Sequence, residues 1–218
     1  MSAPRVERLR LTGDAALTAE FEPRAELAIN RAAATLGRLV RGAALAGVRD
    51  VVVTTSAVTA HVDPLAVDWQ ALEALLRTPV AAAPEPIEEA PPLVVPTEYG
   101  GANGPDLGEV AERCGCSADE VVARHTGRLY RVFMIGFMPG FAYLGSVDER
   151  LRLPRRASPR LRVPIGSVAM AGEQTAVYPL ETPGGWWVIG RTSLRAFDLA
   201  RDPSCLFQVG RAVRFEAS

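Results

Sequence analysis

Lysine is absent from this sequence: all 24 basic residues among the 218 are arginine. The absence removes whole classes of chemistry. A biotin or lipoyl carrier needs a lysine to acylate, a pyridoxal enzyme or Schiff-base aldolase needs a lysine amine, and a Walker phosphate loop ends in Gly-Lys. Cysteine is nearly absent as well. Cys114, Cys116 and Cys205 are too few for a disulfide framework and read as reduced thiols of a cytoplasmic protein. There is no membrane-length apolar run, because the longest uncharged stretch, Val132 to Val147, is broken by Pro139 and falls short of the ~20 residues that cross a bilayer. The N-terminal residues Met1 to Arg8 lack the apolar core of a secretory signal. Charge excess is missing too: a net charge of -1 argues against a nucleic-acid surface. There is no His-Glu-X-X-His, no Gly-X-Ser-X-Gly elbow and no dinucleotide fingerprint, and Cys114-Gly-Cys116 has no second ligand pair, so no metal is expected.

What is present is an ordinary globular composition, 48% apolar and 22% charged. The stretch Pro79 to Pro92 holds five prolines and three acids, which breaks any regular pattern and reads as a linker between domains at 1–78 and 93–218. In the first domain, Val6 to Leu11 and Ala16 to Phe21 read as a hairpin and Ala25 to Val40 as a helix. Val48 to Thr55 and Ala57 to Val62 read as strands, and Val67 to Arg77, entered through Asp63-Pro64, as a second helix. The order ββαββα predicts a small α+β unit. In the second, Leu93 to Thr97 is strand-like, Gly100 to Asp106 opens a helix, and Ser117-Ala-Asp-Glu120 starts another. From Leu129 onward, short strands at Leu129–Phe137, Val163–Met170, Thr175–Tyr178, Trp186–Ile189 and Ala212–Phe215 predict an antiparallel barrel or sandwich.

Three segments carry candidate chemistry. Ile135 to Gly145 combines turn-permitting glycines, Gly140 among them, with the stiffening Pro139 and the flat surfaces of Phe137, Phe141 and Tyr143, which suits a loop lining a pocket and equally a packed barrel corner. Glu149 to Val163 holds six arginines, of which Arg155 and Arg160 follow prolines and have the planar fork that grips a carboxylate or phosphate; a solvated cationic loop or an acidic partner's interface is the alternative. The third runs from Val163 to Thr192. There Gln174, Thr175, Tyr178 and Thr192 offer hydrogen bonds beside Gly184, Gly185 and Trp186, an arrangement that reads a small amide or carboxylate or simply makes a hairpin turn. His125 falls late in a helix and His61 ends a strand; a lone histidine is more often a satisfied structural residue than a catalyst, and His125 is the better candidate of the two.

These motifs occur in an order that resembles a known family. Tyr99-Gly-Gly, Gly104-Pro-Asp-Leu107, His125-Thr126, Gly136 to Gly145, Pro154-Arg155 and Pro159-Arg160 are followed by Val163-Pro-X-Gly-Ser-Val168, Ala171-Gly-X-Gln-Thr175, Tyr178-Pro179, Pro183-Gly-Gly-Trp186 and Gly190-Arg-Thr192. Together, over residues 93–198, they are similar to the family of 5-oxoprolinase B-type subunits, also called allophanate hydrolase subunit 1 or KipI-type. The resemblance implies an α+β N-terminal domain followed by a cyclophilin-like β-barrel. It implies a hydrolase component that, with a larger C-type subunit (KipA-type) and an A-type subunit, opens 5-oxoproline to glutamate with ATP as co-substrate, no cofactor being held by this chain alone. It also leaves two other roles: inhibitor of a sensor histidine kinase, or component of urea and allophanate metabolism. Carried onto these residues, it implies a cleft formed by Phe137, Pro139, Gly140, Phe141, Tyr143, Thr175, Tyr178, Gly184, Gly185 and Trp186. In that cleft Arg155 or Arg160 would hold an anion, with His125 and Gln174 assisting the reaction. Two departures stand out, Ala176 where the family pattern has glycine and Ser193 where it has proline.

Overall fold

The computed structural model describes residues 4–80 and 91–218, so most of the linker expected at 79–92 lies outside the described residues. The described residues form two compact units, one on each side of that gap.

The N-terminal unit follows the expected ββαββα order: β1 (Arg8–Leu11), β2 (Ala16–Glu20), α1 (Leu27–Gly42), β3 (Val48–Val53), β4 (Ala57–Val62) and α2 (Trp69–Leu76). The four strands make an antiparallel sheet in the order β1-β2-β4-β3. Ile29, Ala32, Ala33, Leu36 and Val40 recur at helical spacing and form one apolar stripe on α1, which packs with Val51, Val58, Ala60 and Val62 of the sheet. The second helix starts later than Asp63-Pro64. Asp68 accepts hydrogen bonds from the Gln70 and Ala71 N–H groups at 3.0 Å and caps α2, while Asp63 is used in the preceding turn, where it accepts from the Leu65 N–H at 3.2 Å.

The C-terminal unit begins with β5 (Leu93–Tyr99), α3 (Leu107–Cys114) and α4 (Ala118–Thr126). It continues through β6 (Tyr130–Ile135), β7 (Ala142–Gly145), β8 (Arg160–Val163), β9 (Ser167–Ala171), β10 (Gln174–Val177), β11 (Thr182–Gly184), β12 (Trp187–Arg191) and β13 (Ala212–Ala217). Seven strands close a barrel in the order β10-β7-β6-β13-β5-β12-β9, and β8 and β11 form a separate two-stranded ribbon. The expectation of an antiparallel barrel needs correcting in one place: the last strand, β13, runs parallel to the first, β5, so the closed sheet is mixed. Two short strands, β7 and β8, fall in segments whose pattern reads as loop, because each is only four residues long and borders glycine or proline. Helix α4 opens as expected, with a reciprocal capping box in which Ser117 Oγ accepts from the Glu120 N–H and the Glu120 carboxylate accepts from the Ser117 N–H.

Strand alternation divides the barrel into two faces. Leu144, Val168, Met170, Val177 and Ile189 belong to the interior core with Val95, Val132 and Phe215, against which α3 and α4 lay Val110 and Val121. The intervening residues Tyr143, Ala169, Ala171, Ala176 and Val188 belong to a second cluster, with Phe141, Tyr178 and Trp186. No described helix is long and apolar enough to cross a membrane.

Candidate functional site

The second cluster is an aromatic face whose floor is made by small residues. Ala169, Ala171 and Ala176 leave room above the strands, and Phe141 fills it, with ring centroids 4.9 Å from Tyr143, 5.2 Å from Tyr178 and 5.7 Å from Trp186, all edge-to-face. Each such pair contributes about 0.5–1.5 kcal/mol beyond its buried area, which fixes the loop bearing Phe141 to the sheet. That loop closes on itself through Gly136 N–H to Phe141 O and Phe141 N–H to Met138 O, both 3.1 Å. At Gly140 the backbone has φ +80°, and a Cβ there would lie 2.7 Å from the Phe197 Cβ. Phe137 also takes a left-handed backbone conformation, φ 68°, without being glycine. Its ring, 63% exposed, stands edge-on to Phe141 at 5.4 Å. Pro139 is exposed beside it.

Two phenols give this face its polarity. Burial raises the pKa of Tyr143 and pushes that of Tyr178 up to about 12, with the positive charge of Arg155 opposing both rises; Arg155 itself is exposed, and its segment reaches this face where the Arg156 N–H bonds the Gly185 carbonyl next to Trp186. The Trp186 backbone N–H also faces the Tyr178 oxygen. At Gly184 a Cβ would lie 2.4 Å from the same oxygen, so only glycine leaves the hydroxyl its place. Gly185 contributes its carbonyl, which accepts from the Arg156 N–H at 2.8 Å. Gln174, half-buried, lies on β10 two residues before Ala176 and therefore on the outward side of that strand. Phe137, Phe141, Tyr143, Tyr178, Gly184 and Trp186 are thus brought together, with the segment of Arg155 alongside at Gly185.

His125, Thr175 and Arg160 are placed elsewhere. His125 and Thr175 are fully buried on the other side of the sheet. Thr175 Oγ1 donates to the Ala169 carbonyl at 3.0 Å, so it accepts from His125 Nε2–H at 2.9 Å, and His125 Nδ1 in turn accepts from the Tyr99 hydroxyl at 2.7 Å. Tyr130 adds a hydrogen bond to the His125 carbonyl at 2.8 Å. Burial holds the imidazole pKa down at about 3, and both ring nitrogens are used internally. This geometry makes His125 a neutral support of the barrel wall and leaves it no atom with which to meet a ligand.

Arg160 is likewise engaged. Its two terminal nitrogens each lie 2.6 Å from an Asp106 oxygen, a bidentate pair, and Arg156 reaches the same carboxylate at 2.6 Å. Of the six arginines between 149 and 163, Arg152, Arg156, Arg160 and Arg162 pair with carboxylates within the chain. The cationic segment is therefore largely neutralised internally; Arg150 and Arg155 are in no ion pair among the described residues, and Arg155 is the one whose chain neighbour bonds Gly185 at the aromatic face. From sequence, Asp106 reads only as a first-turn acid of α3. The signal that marks it is its place in Gly104-Pro-Asp-Leu107, between two turn residues and an apolar anchor. Thr192 lies at a separate cleft of about 420 Å³ with Glu98, Asn103, Arg191 and Arg195. Among the described residues no group of three or more His, Cys, Asp or Glu is placed to hold a metal ion.

Comparison with known proteins agrees with this architecture. Residues 7–207 match the family described as carboxyltransferase domain, subdomain C and D. The chain is 56% identical over 123 residues to the B-type subunit of 5-oxoprolinase from Escherichia coli O157:H7, covering 56% of each chain, and 48% identical over 121 residues to that of Bacillus subtilis, covering 56% of this chain and 50% of that one. The alignments thus span about half the length of the curated relatives. Among solved structures, that of TTHA0988 superposes with a TM-score of 0.79 at 35% identity, over 97% of this chain and 41% of that one. The Kluyveromyces lactis urea amidolyase does so with a TM-score of 0.77 at 18% identity, over 96% of this chain and 15% of that one, a likeness of fold alone. The chain belongs to the carboxyltransferase domain, subdomain C and D, family and is a relative of the 5-oxoprolinase B-type subunits, the group its motifs resemble.

Proposed function

We propose that this chain is the B-type subunit of an ATP-dependent 5-oxoprolinase that works with a larger C-type subunit (KipA-type) and an A-type subunit. The observation that carries the reading is the high identity to proteins named as this component of 5-oxoprolinase, reinforced by an aromatic face bordered by the segment that carries the exposed Arg155. In the reaction one water adds across the lactam C–N bond of 5-oxoproline to give glutamate, and a second water ends in the phosphate released as ATP becomes ADP. An unstrained lactam resists water, and transfer of phosphoryl to its carbonyl oxygen is what lowers that barrier. The chain has no Walker lysine, so the reading assigns ATP to a partner protein.

On this reading Arg155 pairs with the substrate carboxylate, Tyr143 donates a hydrogen bond to it with the buried Tyr178 supporting the loop from behind, and Phe137 covers the ring methylenes. Gln174 bonds the lactam amide from the edge of β10. Arg160 and His125 contribute through the frame that supports these groups rather than by touching substrate. The test is to purify the chain with whatever accompanies it in its native host and to measure glutamate release from 5-oxoproline with and without ATP. The expected result is ATP-dependent glutamate formation that disappears when the partner proteins are removed. Activity on urea but not on 5-oxoproline would sink the reading, and recovery of a histidine kinase alone would replace it with the inhibitor role.

A further inference from the structure

Asp106 is 2% exposed and accepts four hydrogen bonds. Two come from Arg160 and one from Arg156, each at 2.6 Å, and the fourth comes from the Val188 N–H of β12 at 2.7 Å. It stands at the N-cap position of α3, yet its side chain caps nothing there. A carboxylate that forgoes its own helix and gathers two guanidiniums and a strand amide is tying three elements together: α3, β12 and the segment 154–160. The segment it holds is pinned at further points on both sides of Arg155. The Trp187 indole N–H donates to the Pro154 carbonyl at 2.7 Å, and the Arg156 N–H donates to the Gly185 carbonyl at 2.8 Å. The Arg156 guanidinium also lies 4.9 Å from the centre of the Trp187 ring, with Arg113 at 5.0 Å from the same ring.

We propose that Asp106 is a positioning residue: by locking residues 154–160 onto α3 and β12, it holds Arg155, between its pinned neighbours Pro154 and Arg156, at the edge of the aromatic face next to Gly185 and Trp186. The inference rests on the reading of that face as the site for a carboxylate-bearing lactam, and it adds the residue that sets where the cation stands. Asp106 touches no ligand itself. Neutralising its carboxylate releases Arg156 and Arg160 together and loosens the segment that carries Arg155. Freed arginines are also new, badly placed competitors for the substrate carboxylate.

The experiment compares Asp106→Asn, Arg155→Gln and the double variant in the assembled enzyme, and follows amide hydrogen exchange across residues 153–160 in the full chain. Asp106→Asn is expected to raise KM for 5-oxoproline about tenfold while kcat stays within about twofold, the pattern of lost binding without lost chemistry. The double variant should be no worse than Arg155→Gln, since both act through one guanidinium. Exchange at 153–160 should become about tenfold faster. An unchanged KM, multiplicative effects in the double variant, or unchanged exchange would each overturn the proposal. If Asp106→Asn does not fold, Arg160→Gln, which leaves Arg156 on Asp106, is read the same way with a smaller rise. If the wild-type complex does not turn over 5-oxoproline, the functional reading falls, and the exchange measurement still decides for or against Asp106.

Discussion

His125 lies inside the barrel between Tyr99 and Tyr130, while Tyr143 and Tyr178 belong to the aromatic cluster on the other face, whose edge the Arg155 segment borders at Gly185. Inside, Tyr99 and Thr175 occupy both imidazole nitrogens and Tyr130 takes the backbone carbonyl, so every one of these polar atoms is used within the protein. Outside, Tyr178 is buried against Gly184 and Tyr143 is half-buried, and the nearby segment carries the exposed Arg155, which pairs with no carboxylate among the described residues, unlike its neighbours Arg156 and Arg160. The residue types are alike and the difference is one of completion. A closed network specifies a fold, because each of its groups is costly to leave unpaired, whereas an open one has capacity for a ligand. Strand alternation creates the distinction: Thr175 and Gln174 are neighbours in sequence and face opposite sides.

The sharpest way to break the comparison is to remove the interior histidine. His125→Ala takes out a fully buried ring and leaves the Tyr99 and Thr175 hydroxyls without their partner, so the unfolding free energy should fall by about 3–4 kcal/mol. Denaturant titration of the full chain measures it. A loss under about 1 kcal/mol would show that the interior network is no more than the outer one in structural weight. The same residue predicts a pH dependence. Its folded pKa is depressed to about 3 while the unfolded chain titrates near 6.5, so the unfolded state binds the extra proton between those values. Stability contributed by the neutral ring is complete above about pH 6.5 and falls as pH drops toward about 3, by up to about 1.4 kcal/mol per pH unit. His125→Gln should remove that slope, and an unchanged slope would assign it to other groups.

On the outer side the expected effects move from stability to binding. Arg155→Gln should leave the unfolding free energy within about 0.5 kcal/mol, since an exposed side chain outside the ion-pair network of its segment holds nothing in place. The assembled enzyme should bind its carboxylate substrate about tenfold more weakly, read as a rise in KM. If the same variant lost several kcal/mol of stability instead, the outer face would be a second closed network and the comparison would fail.

Much of this is legible in the sequence. Helical spacing from Ile29 to Val40 and the Ser117/Glu120 box mark helices because both signals are local, within one turn. The loop and ribbon motifs bring Phe137, Phe141, Tyr143 and Trp186 to notice as glycine-bounded aromatic residues, but the same pattern suits a packed barrel corner, and only the ring contacts show that they meet. What stays hidden are pairings across distance. Nothing near Arg160 in the chain announces that a carboxylate fifty-four positions earlier will take both of its terminal nitrogens. Nothing near His125 announces Thr175, fifty positions later. The parallel pairing of β13 with β5 joins the two ends of the unit and is hidden for the same reason.

The smallest expected effect has the most unusual sign. Phe137 holds its exposed position on a left-handed backbone, φ 68°, that a β-carbon disfavours and glycine accepts freely. Its ring is 63% exposed and stands edge-on to Phe141, so little packing offsets the strain. Phe137→Gly should therefore relieve the strain while giving the unfolded chain more freedom to lose, a near-balance that leaves stability within about 0.5 kcal/mol or slightly raised. Phe137→Ala keeps the strained conformation and the β-carbon, and it should be the less stable of the two. Both variants remove the aromatic cover and should weaken substrate binding equally. Thermal unfolding of the pair alongside KM in the assembled enzyme separates the two quantities. If Phe137→Gly proved much less stable than Phe137→Ala, the ring's strain would be structural in origin, and the outer loop would belong with the interior network after all.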